Sequence, residues 1–370
     1  MFLIVVLSIW SAMHTYVLAR WWRLPWLDSP LLHRALLVGF AVLWLAYPLA
    51  RILERRGHTA LAHPIEWAGA AWLGVLFLLV IWLLLADLVT GFGWLAPRLA
   101  PVARTLATAV ALVLAAVALV QGTRAPVVEE VTVVSPRLPA AHDGLRLVQL
   151  SDLHVGALLN SRWLRSVVAQ VQSLQPDAVV ITGDLVDGNA RRVAEVLPEL
   201  RALQAPLGVW AVTGNHEYYA GLEASVRVLE QAGFRVLRDE WAELVPGVVV
   251  AGVDDLTARR QFGDARDPVP AALSGRPAGF TVFLSHSPWR VEETAAAGAD
   301  LMLSGHTHAG QIWPFGYLTG LQYPYLEGRY TVKEMTLYVS RGTGTWGPRM
   351  RLPRPAEITL LTLRSTPQPR

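Results

Sequence analysis

No cysteine occurs among the 370 residues of the chain, and Lys333 is its only lysine. The chain therefore forms neither disulfides nor thiolate metal sites, and a metal centre in it would use histidine, carboxylate and carboxamide ligands. The net charge of +3 is spread along the sequence without a dense basic run, so no nucleic-acid-binding surface is indicated. We expect no nucleic-acid partner, and the sequence indicates no protein partner.

Charged residues are also scarce, at 16% of the chain against about 25% in an average soluble protein. The apolar excess lies before residue 125, in four runs close to the roughly 20 residues that cross a bilayer. These runs predict an all-α bundle of about four transmembrane helices in residues 1–125, followed by a second domain over residues 126–370. The predicted spans are about residues 2–19, 35–50, 67–87 and 105–123.

The lipid bilayer is thus the first predicted partner. An even number of spans places the N-terminus and the second domain on the same side of the membrane, but the flanking arginines do not decide which side. Asp87 stands at the end of the third run, where we expect it to lie at the membrane interface.

After residue 125, short β-rich runs alternate with amphipathic helical stretches, a pattern typical of an α/β domain with both sheet faces covered. Polar residues follow five of the predicted strands. They are Asp152 and His154 after LVQL, Asp184 after DAVVIT, Asn215 and His216 after VWAVT, His286 after TVFLS, and His306 and His308 after DLMLS. Each has an ordinary structural explanation alone, but five of the six histidines in this half occupy these positions. Jointly they indicate a site.

The residue types indicate a hydrolytic metal centre. In open α/β sheets, sites form beyond the carboxyl ends of the strands, where the loops converge. Imidazole, carboxylate and carboxamide groups without a thiolate suit Mn²⁺, Fe or Zn²⁺. Two such ions about 3.5 to 4 Å apart activate a bridging water and stabilise charge on phosphate oxygens. A carboxylate is needed between them, and Asp184 is the natural bridge. Gly183, Gly214 and Gly305 let the backbone turn sharply from strand into ligand.

The motifs DLH, GDLVD, GNHE, a single histidine after a strand, and GHTH, in this order, resemble the calcineurin-like metallophosphoesterase superfamily. The resemblance covers about residues 145 to 365. GHTHAGQIWP and SRGTGTWGPRMRLPRPAEITLL resemble in particular a bacterial membrane-associated branch of predicted phosphohydrolases. The resemblance implies a four-layer α/β/β/α sandwich of two packed sheets and a location in the bacterial cell (inner) membrane.

The resemblance also implies two sets of metal ligands that share one aspartate. The first metal takes Asp152, His154, Asp184 and His308, and the second takes Asp184, Asn215, His286 and His306.

His216 matches the position that contacts the substrate phosphate or protonates the leaving group, and Asp187 matches a partner that holds this histidine. Both are therefore predicted catalytic residues. Gly188 and Asn189 stand where protein phosphatases of the superfamily have an arginine, which argues against a phosphoprotein substrate. Arg341 is a candidate for contact with the substrate phosphate.

Four further residues near the motifs are expected to have mostly structural roles. Arg349 is a second candidate for a phosphate contact, although arginines in such segments are more often solvated. We expect Glu217, which directly follows His216, to be a surface acid, because an acid beside a motif is more often exposed than engaged in orienting metal ligands. Thr307 and Gln311 are expected to stabilise loops rather than touch substrate.

The resulting hypothesis is a membrane-anchored hydrolase that cleaves a phosphate ester or phosphoanhydride by attack of a metal-bridging hydroxide. Its substrate would be a phosphorylated small molecule or lipid, such as a lipid-linked phosphate or a nucleotide. Three alternatives remain: a catalytically idle membrane sensor or assembly protein, a nuclease or cyclic-nucleotide phosphodiesterase on the same scaffold, and a transporter.

Overall fold

A computed structural model of the chain describes residues 2–156, 158–188, 195–264 and 266–366. The chain divides into two compact units. The first comprises Met1–Thr123 and Gly347–Pro353, and the second comprises Arg124–Trp346 and Arg354–Arg370.

The first unit is built from four long helices, which confirms the predicted number of apolar helices. They are α1 (Phe2–Trp21), α2 (Pro30–Arg55), α3 (Thr59–Val89) and α4 (Ala100–Thr123). All four are long and apolar enough to cross a membrane. The helices extend beyond the predicted spans because helical hydrogen bonding continues into the polar flanks. At the start of α2, for example, Ser29 accepts a hydrogen bond from the backbone N–H of Leu32, so that this helix begins at Pro30.

The side chain of Asp87, two residues before the end of α3, is fully buried among the helices. Its Oδ2 accepts hydrogen bonds from Arg20 Nε at 2.5 Å and Tyr16 Oη at 2.8 Å. Its Oδ1 accepts one from Arg104 Nε at 2.7 Å. The reason is charge pairing: a carboxylate in an apolar bundle is stable only with cations beside it, and here α1 and α4 each bring one to α3.

We expect Asp87→Ala to lower the free energy of unfolding by about 3 kcal/mol, because it leaves two arginines near each other without their shared carboxylate. Thermal unfolding of the full chain in detergent micelles measures this effect. Asp28→Ala, which removes an exposed acid of the same unit, is the matched control. Equal melting temperatures for the two variants would contradict a stabilising role for Asp87.

The seven residues Gly347–Pro353 lie far along the sequence from the helices but belong to the same unit. The backbone N–H of Arg351 donates to the carbonyl of Ala118 in α4 at 2.9 Å. One turn further along α4, Gly122 lies against the backbone of Arg349, where a Cβ atom would overlap it. This glycine is therefore required for the close approach of the two segments.

Among its described residues, the second unit has twelve strands in two six-stranded sheets. They are β1 (Val127–Ser135), β2 (Arg146–Leu150), β3 (Ala178–Thr182), β4 (Val209–Val212), β5 (Arg235–Val236), β6 (Glu240–Val245), β7 (Val248–Gly252), β8 (Phe280–Leu284), β9 (Leu301–Ser304), β10 (Gly328–Val332), β11 (Met335–Val339) and β12 (Glu357–Ser365). The strand orders are β1-β12-β2-β3-β4-β5 and β10-β11-β9-β8-β7-β6. In both sheets the central strands that precede the candidate ligands are parallel.

Seven helices accompany these sheets among the described residues. They are α5 (Ser161–Ser173), α6 (Leu197–Arg201), α7 (Asn215–Gln231), α8 (Leu256–Gln261), α9 (Val269–Leu273), α10 (Val291–Ala296) and α11 (Phe315–Gln322).

The predicted four-layer sandwich is confirmed by the way single strands divide their side chains between two cores. In β3, Val180 packs into a core between the two sheets, which it shares with Val282 of the other sheet. Its neighbours Val179 and Ile181 face the opposite side and pack with α5 residues such as Val167. Successive side chains of a strand point to opposite faces, so a strand that is apolar throughout is covered on both.

Candidate metal centre

The predicted site residues lie beyond the carboxyl ends of five strands, drawn from both sheets. Asp152 and His154 follow β2, Asp184 follows β3, Asn215 and His216 follow β4, His286 follows β8, and His306 and His308 follow β9. Because these strands are parallel within each sheet, their carboxyl ends open on one edge of the sandwich. The fold therefore brings side chains that are up to 156 residues apart in the sequence to one place.

The first group of candidate ligands is Asp152, His154 and His308, whose donor atoms all lie within 4.8 Å of one another. The Nε2 atoms of His154 and His308 are 3.1 Å apart, and His308 Nε2 is 3.3 Å from Asp152 Oδ1. Two imidazole nitrogens and a carboxylate oxygen that converge in this way fit a divalent cation between them.

The second group is Asp184, His286 and His306, again with donor atoms within 4.8 Å of one another. His286 Nε2 lies 3.1 Å from Asp184 Oδ2, from His306 Nδ1 and from Asn215 Oδ1. The other nitrogen of His286, Nδ1, is 2.8 Å from the carbonyl of Thr182. When Nδ1 carries the proton, it donates a hydrogen bond to that carbonyl. The lone pair of Nε2 then points toward the other candidate ligands of the second group.

Asp184 connects the two groups. Its Oδ2 is 3.1 Å from His286 Nε2 and 3.8 Å from His154 Nε2, so one carboxylate oxygen faces a histidine of each group. Its Oδ1 accepts the backbone N–H of His216 at 2.8 Å, which fixes the orientation of the carboxylate. The structure thus brings all seven predicted ligands together, and the shared position of Asp184 suits a bridge between two ions.

The candidate ligands are buried, so the pKa of each carboxyl group depends on its burial and on the charged groups beside it. Burial raises the pKa of Asp152 to about 6. Burial also opposes the charge of Asp184, but His286 and His216 outweigh it and hold the pKa of Asp184 well below its usual range. A cation favours the charged form of a carboxylate, so the donor set and its burial both fit divalent metal ions.

His216 lies beside the ligands, with its ring centroid 4.6 Å from that of His154. Its Nδ1 is 3.0 Å from Asp187 Oδ1, the partner predicted for it. Burial alone would lower the pKa of His216, but the carboxylates of Asp184 and Asp187 outweigh this effect and raise it to about 9. Asn189, one of the two residues that stand where protein phosphatases of the superfamily have an arginine, lies outside the described residues.

Glu217 is fully buried, so the expectation of a surface acid is wrong. Its Oε2 accepts the backbone N–H groups of Gly214 at 2.6 Å and Asp184 at 3.0 Å, and its Oε1 accepts that of Val186 at 2.9 Å. It therefore ties the loop after β3 to the start of α7. The signal in the sequence was the spacing from Gly214 to Glu217, which places a glutamate at the third position of a helix.

The guanidinium of Arg341, the candidate for contact with the substrate phosphate, is engaged in ion pairs with two carboxylates. Its Nη1 is 2.6 Å from Glu357 Oε2, its Nη2 is 2.5 Å from Glu129 Oε1, and its Nε donates to the carbonyl of Pro355 at 2.8 Å. The guanidinium is buried because its charge is balanced in this way. Arg349, the other candidate, belongs to the first unit.

Thr307 and Gln311 stabilise loops, as expected. Thr307 Oγ1 donates to the carbonyl of Leu326 at 2.6 Å. Gln311 exchanges two hydrogen bonds of 2.9 Å with the backbone of Trp346.

Tyr323 is a site residue that the sequence did not reveal. Its Oη is 2.7 Å from Nε2 of His306, the nitrogen that faces away from His286. A group that hydrogen-bonds the outer nitrogen of a metal-ligating histidine fixes the ring and its tautomer. No motif marks this tyrosine, which reaches the site only because the segment after GHTH folds back.

The backbone at the candidate ligands is strained. Positive φ angles occur at Asp152 (54°), His154 (44°), Asp184 (51°), His306 (71°) and His308 (49°). A residue other than glycine in this region costs on the order of 1–3 kcal/mol, and such residues concentrate at functional sites. Five of them among seven candidate ligands indicate that the loops are shaped for the position of these side chains.

Two glycines provide the space for this arrangement. A Cβ atom on Gly214 would overlap the carboxylate of Asp184, and one on Gly305 would overlap the side chains of Ser151 and Asp152. The glycines in GNHE and GHTH are thus explained by close packing against the candidate ligands.

Comparisons with known proteins agree with the geometry. Residues 145–310 match the family described as calcineurin-like phosphoesterase. An uncharacterized metallophosphoesterase of Aquifex aeolicus is 36% identical over 242 residues, which are 64% of this chain and 91% of that protein. The chain therefore belongs to the calcineurin-like metallophosphoesterase family.

The name of a second relative combines a metallophosphoesterase domain with a transmembrane protein. A transmembrane protein with metallophosphoesterase domain from Danio rerio is 37% identical over 272 residues, 70% of this chain and 62% of that protein. The chain thus covers less than two thirds of the length of this relative. A protein of Bacillus subtilis named uncharacterized metallophosphoesterase YkuE is 33% identical over 248 residues, 64% of this chain and 85% of that protein. With its four apolar helices, the chain is a membrane protein of this family.

We expect Glu217→Ala to destabilise the second unit by about 3 kcal/mol, because three backbone N–H groups lose their acceptor in a buried place. The same change frees the loop of Asp184, so the affinity for divalent metal should fall too. Differential scanning calorimetry with and without Mn²⁺ measures both effects. Glu223→Ala, on the same helix but with 66% of its side chain exposed, is the control. A Glu217→Ala variant as stable as this control would refute the role of Glu217.

Proposed function

We propose that the protein is a membrane-anchored hydrolase that cleaves a phosphate ester or phosphoanhydride bond with two divalent metal ions. The observation that carries this proposal is the position of Asp184, whose Oδ2 faces His154 of one ligand group and His286 of the other. The membrane of a bacterial cell is the proposed location.

The residues fit two ions of the first transition row. When bound, such ions activate water and offset negative charge on the phosphate in the transition state. Histidine nitrogens with carboxylate and carboxamide oxygens, in a chain without cysteine, suit Mn²⁺, Fe or Zn²⁺. The first ion would be held by Asp152, His154, Asp184 and His308, and the second by Asp184, Asn215, His286 and His306.

His216 would serve the substrate from the edge of the ligand groups. Asp187 engages its Nδ1, so Nε2 is the atom offered to a phosphate oxygen or to the leaving group. The charge of Asp187 favours the protonated imidazole, which can stabilise a developing negative charge or donate a proton. A catalytically idle domain is disfavoured because no candidate ligand is replaced.

Removal of a shared or single ligand tests the reaction. Asp184→Ala and Asn215→Ala should each reduce kcat/KM for bis(p-nitrophenyl) phosphate in Mn²⁺ by about 10³-fold or more, since metal charge stabilisation is worth several kcal/mol. Asp143→Ala, which removes an exposed carboxylate, should leave the rate unchanged. Chelation of the wild-type protein should abolish the activity and Mn²⁺ should restore it. Full activity in Asp184→Ala would reject the proposal.

His216 should act in the chemical step rather than in metal binding. We expect His216→Asn to lower kcat by about 10² to 10⁴-fold, the usual contribution of a general acid, with unchanged metal content. Asp187→Asn should lower kcat less, because the histidine remains but loses its orientation and charge partner. Steady-state kinetics with metal analysis of the same samples measures this. A loss of metal in parallel with activity would instead assign His216 to the ligands.

A further inference from the structure

The segment that follows GHTH carries no charge over residues 309–326, which read AGQIWPFGYLTGLQYPYL. It contains the helix α11 (Phe315–Gln322), and none of the eight residues of this helix is buried. Tyr317 is 73% exposed, Leu318 57% and Leu321 85%. A helix on a surface in contact with water normally has a polar outer face, so this helix is unusual for a water-facing position.

This apolar surface is attached to the metal centre at both ends. Tyr323 directly follows α11 and contacts His306 through its Oη. Gln311 precedes α11 and binds the backbone of Trp346, which is 56% exposed and whose ring is 6.4 Å from that of His216. Exposed apolar side chains therefore begin beside a candidate metal ligand and beside the candidate acid. We call these side chains the apolar rim: Trp313, Phe315, Tyr317, Leu318, Leu321 and Trp346.

We propose that the apolar rim contacts the acyl chains of the membrane, and that the phosphate taken by the metal centre is therefore carried by a lipid. This inference rests on the proposed function and specifies its substrate class. The bilayer is the occupant of choice because four apolar helices attach every copy of the chain to it. Tryptophan and tyrosine, three of the six rim residues, are the side chains enriched where a membrane meets water. The lack of charge over 18 residues also suits lipid better than a polar protein partner.

The absence of cysteine gives a direct test of the contact that does not depend on activity. In the full chain reconstituted in nanodiscs, Leu321→Cys would carry an environment-sensitive NBD label, and Glu223→Cys on α7 would carry the same label as a control. We expect the label at position 321 to be quenched at least about twofold more by doxyl-labelled lipids than the label at 223. Equal quenching would overturn the proposal. A blue-shifted but unquenched label at 321 would also overturn it, because a protein surface such as a second copy would then cover the rim.

The second test asks whether the rim recognises a chain on the substrate. Methyl, hexyl and dodecyl p-nitrophenyl phosphodiesters share the reacting group and differ only in apolar length. Each methylene that leaves water is worth about fourfold, so partial burial of the dodecyl chain predicts a kcat/KM at least about 10²-fold above that of the methyl ester. The ratio of the two rates, taken on one preparation, cancels differences in folded or metal-loaded protein.

The variant Tyr317→Ser/Leu318→Ser/Leu321→Ser should reduce this ratio at least about tenfold, and Tyr317→Phe/Leu318→Met/Leu321→Met should retain it. An unchanged ratio in the serine variant would overturn the proposal. Hydrolysis of none of the three esters with Mn²⁺, Fe²⁺ or Zn²⁺, combined with quenching at position 321, would instead refute the proposed function while the lipid contact stands.

Discussion

The candidate site depends on one buried carboxylate. Asp184 presents a single oxygen to a histidine from each of two ligand groups, and its other oxygen is occupied by the backbone N–H of His216. A carboxylate free to rotate would not hold both groups in register. Its fixed orientation follows from Glu217, which holds the backbone on either side of Asp184, and from the absence of a side chain at Gly214. The geometry of the candidate ligands is thus a consequence of how two loops are joined.

The buried strands stabilise the fold enough to offset the backbone strain at the candidate ligands. Five candidate ligands have left-handed backbone conformations, which together cost on the order of 5–15 kcal/mol if each costs about 1–3 kcal/mol. The strands that precede them, such as β3 and β9, are buried along their whole length, and each divides its side chains between two apolar cores. Burial of that kind stabilises the strands independently of the loops, so the loops can remain strained without unfolding. The site is therefore unfavourable locally and stable only as part of the sandwich.

The sequence predicted those features that depend on residue type and local order. Apolar strands followed by histidine, carboxylate or carboxamide residues indicated a site, and the structure brings these side chains together; uncharged runs predicted four helices. It did not reveal the contacts that depend on tertiary structure. Glu217 is buried because three backbone groups meet it, Tyr323 reaches His306 by a chain reversal, and Arg341 is neutralised by strands β1 and β12. The packing of Gly347–Pro353 with α4 likewise follows from no local pattern.

The candidate metal ligands alone would not select a substrate, because the ions that they would hold contact only its phosphate. Selection among phosphate compounds requires further groups, which are cations for a nucleotide polyphosphate and apolar surface for a lipid. Three of the arginines in the second unit are already paired with carboxylates: Arg238 with Asp254 at 2.9 Å, Arg259 with Asp239 at 2.9 Å, and Arg341 with Glu357 at 2.6 Å. An arginine engaged in this way would have to break its pair to meet a phosphate. The exposed side chains of α11 have no ion pair to break, since an acyl chain displaces only water from them. This difference in cost favours an apolar substrate at the candidate metal centre.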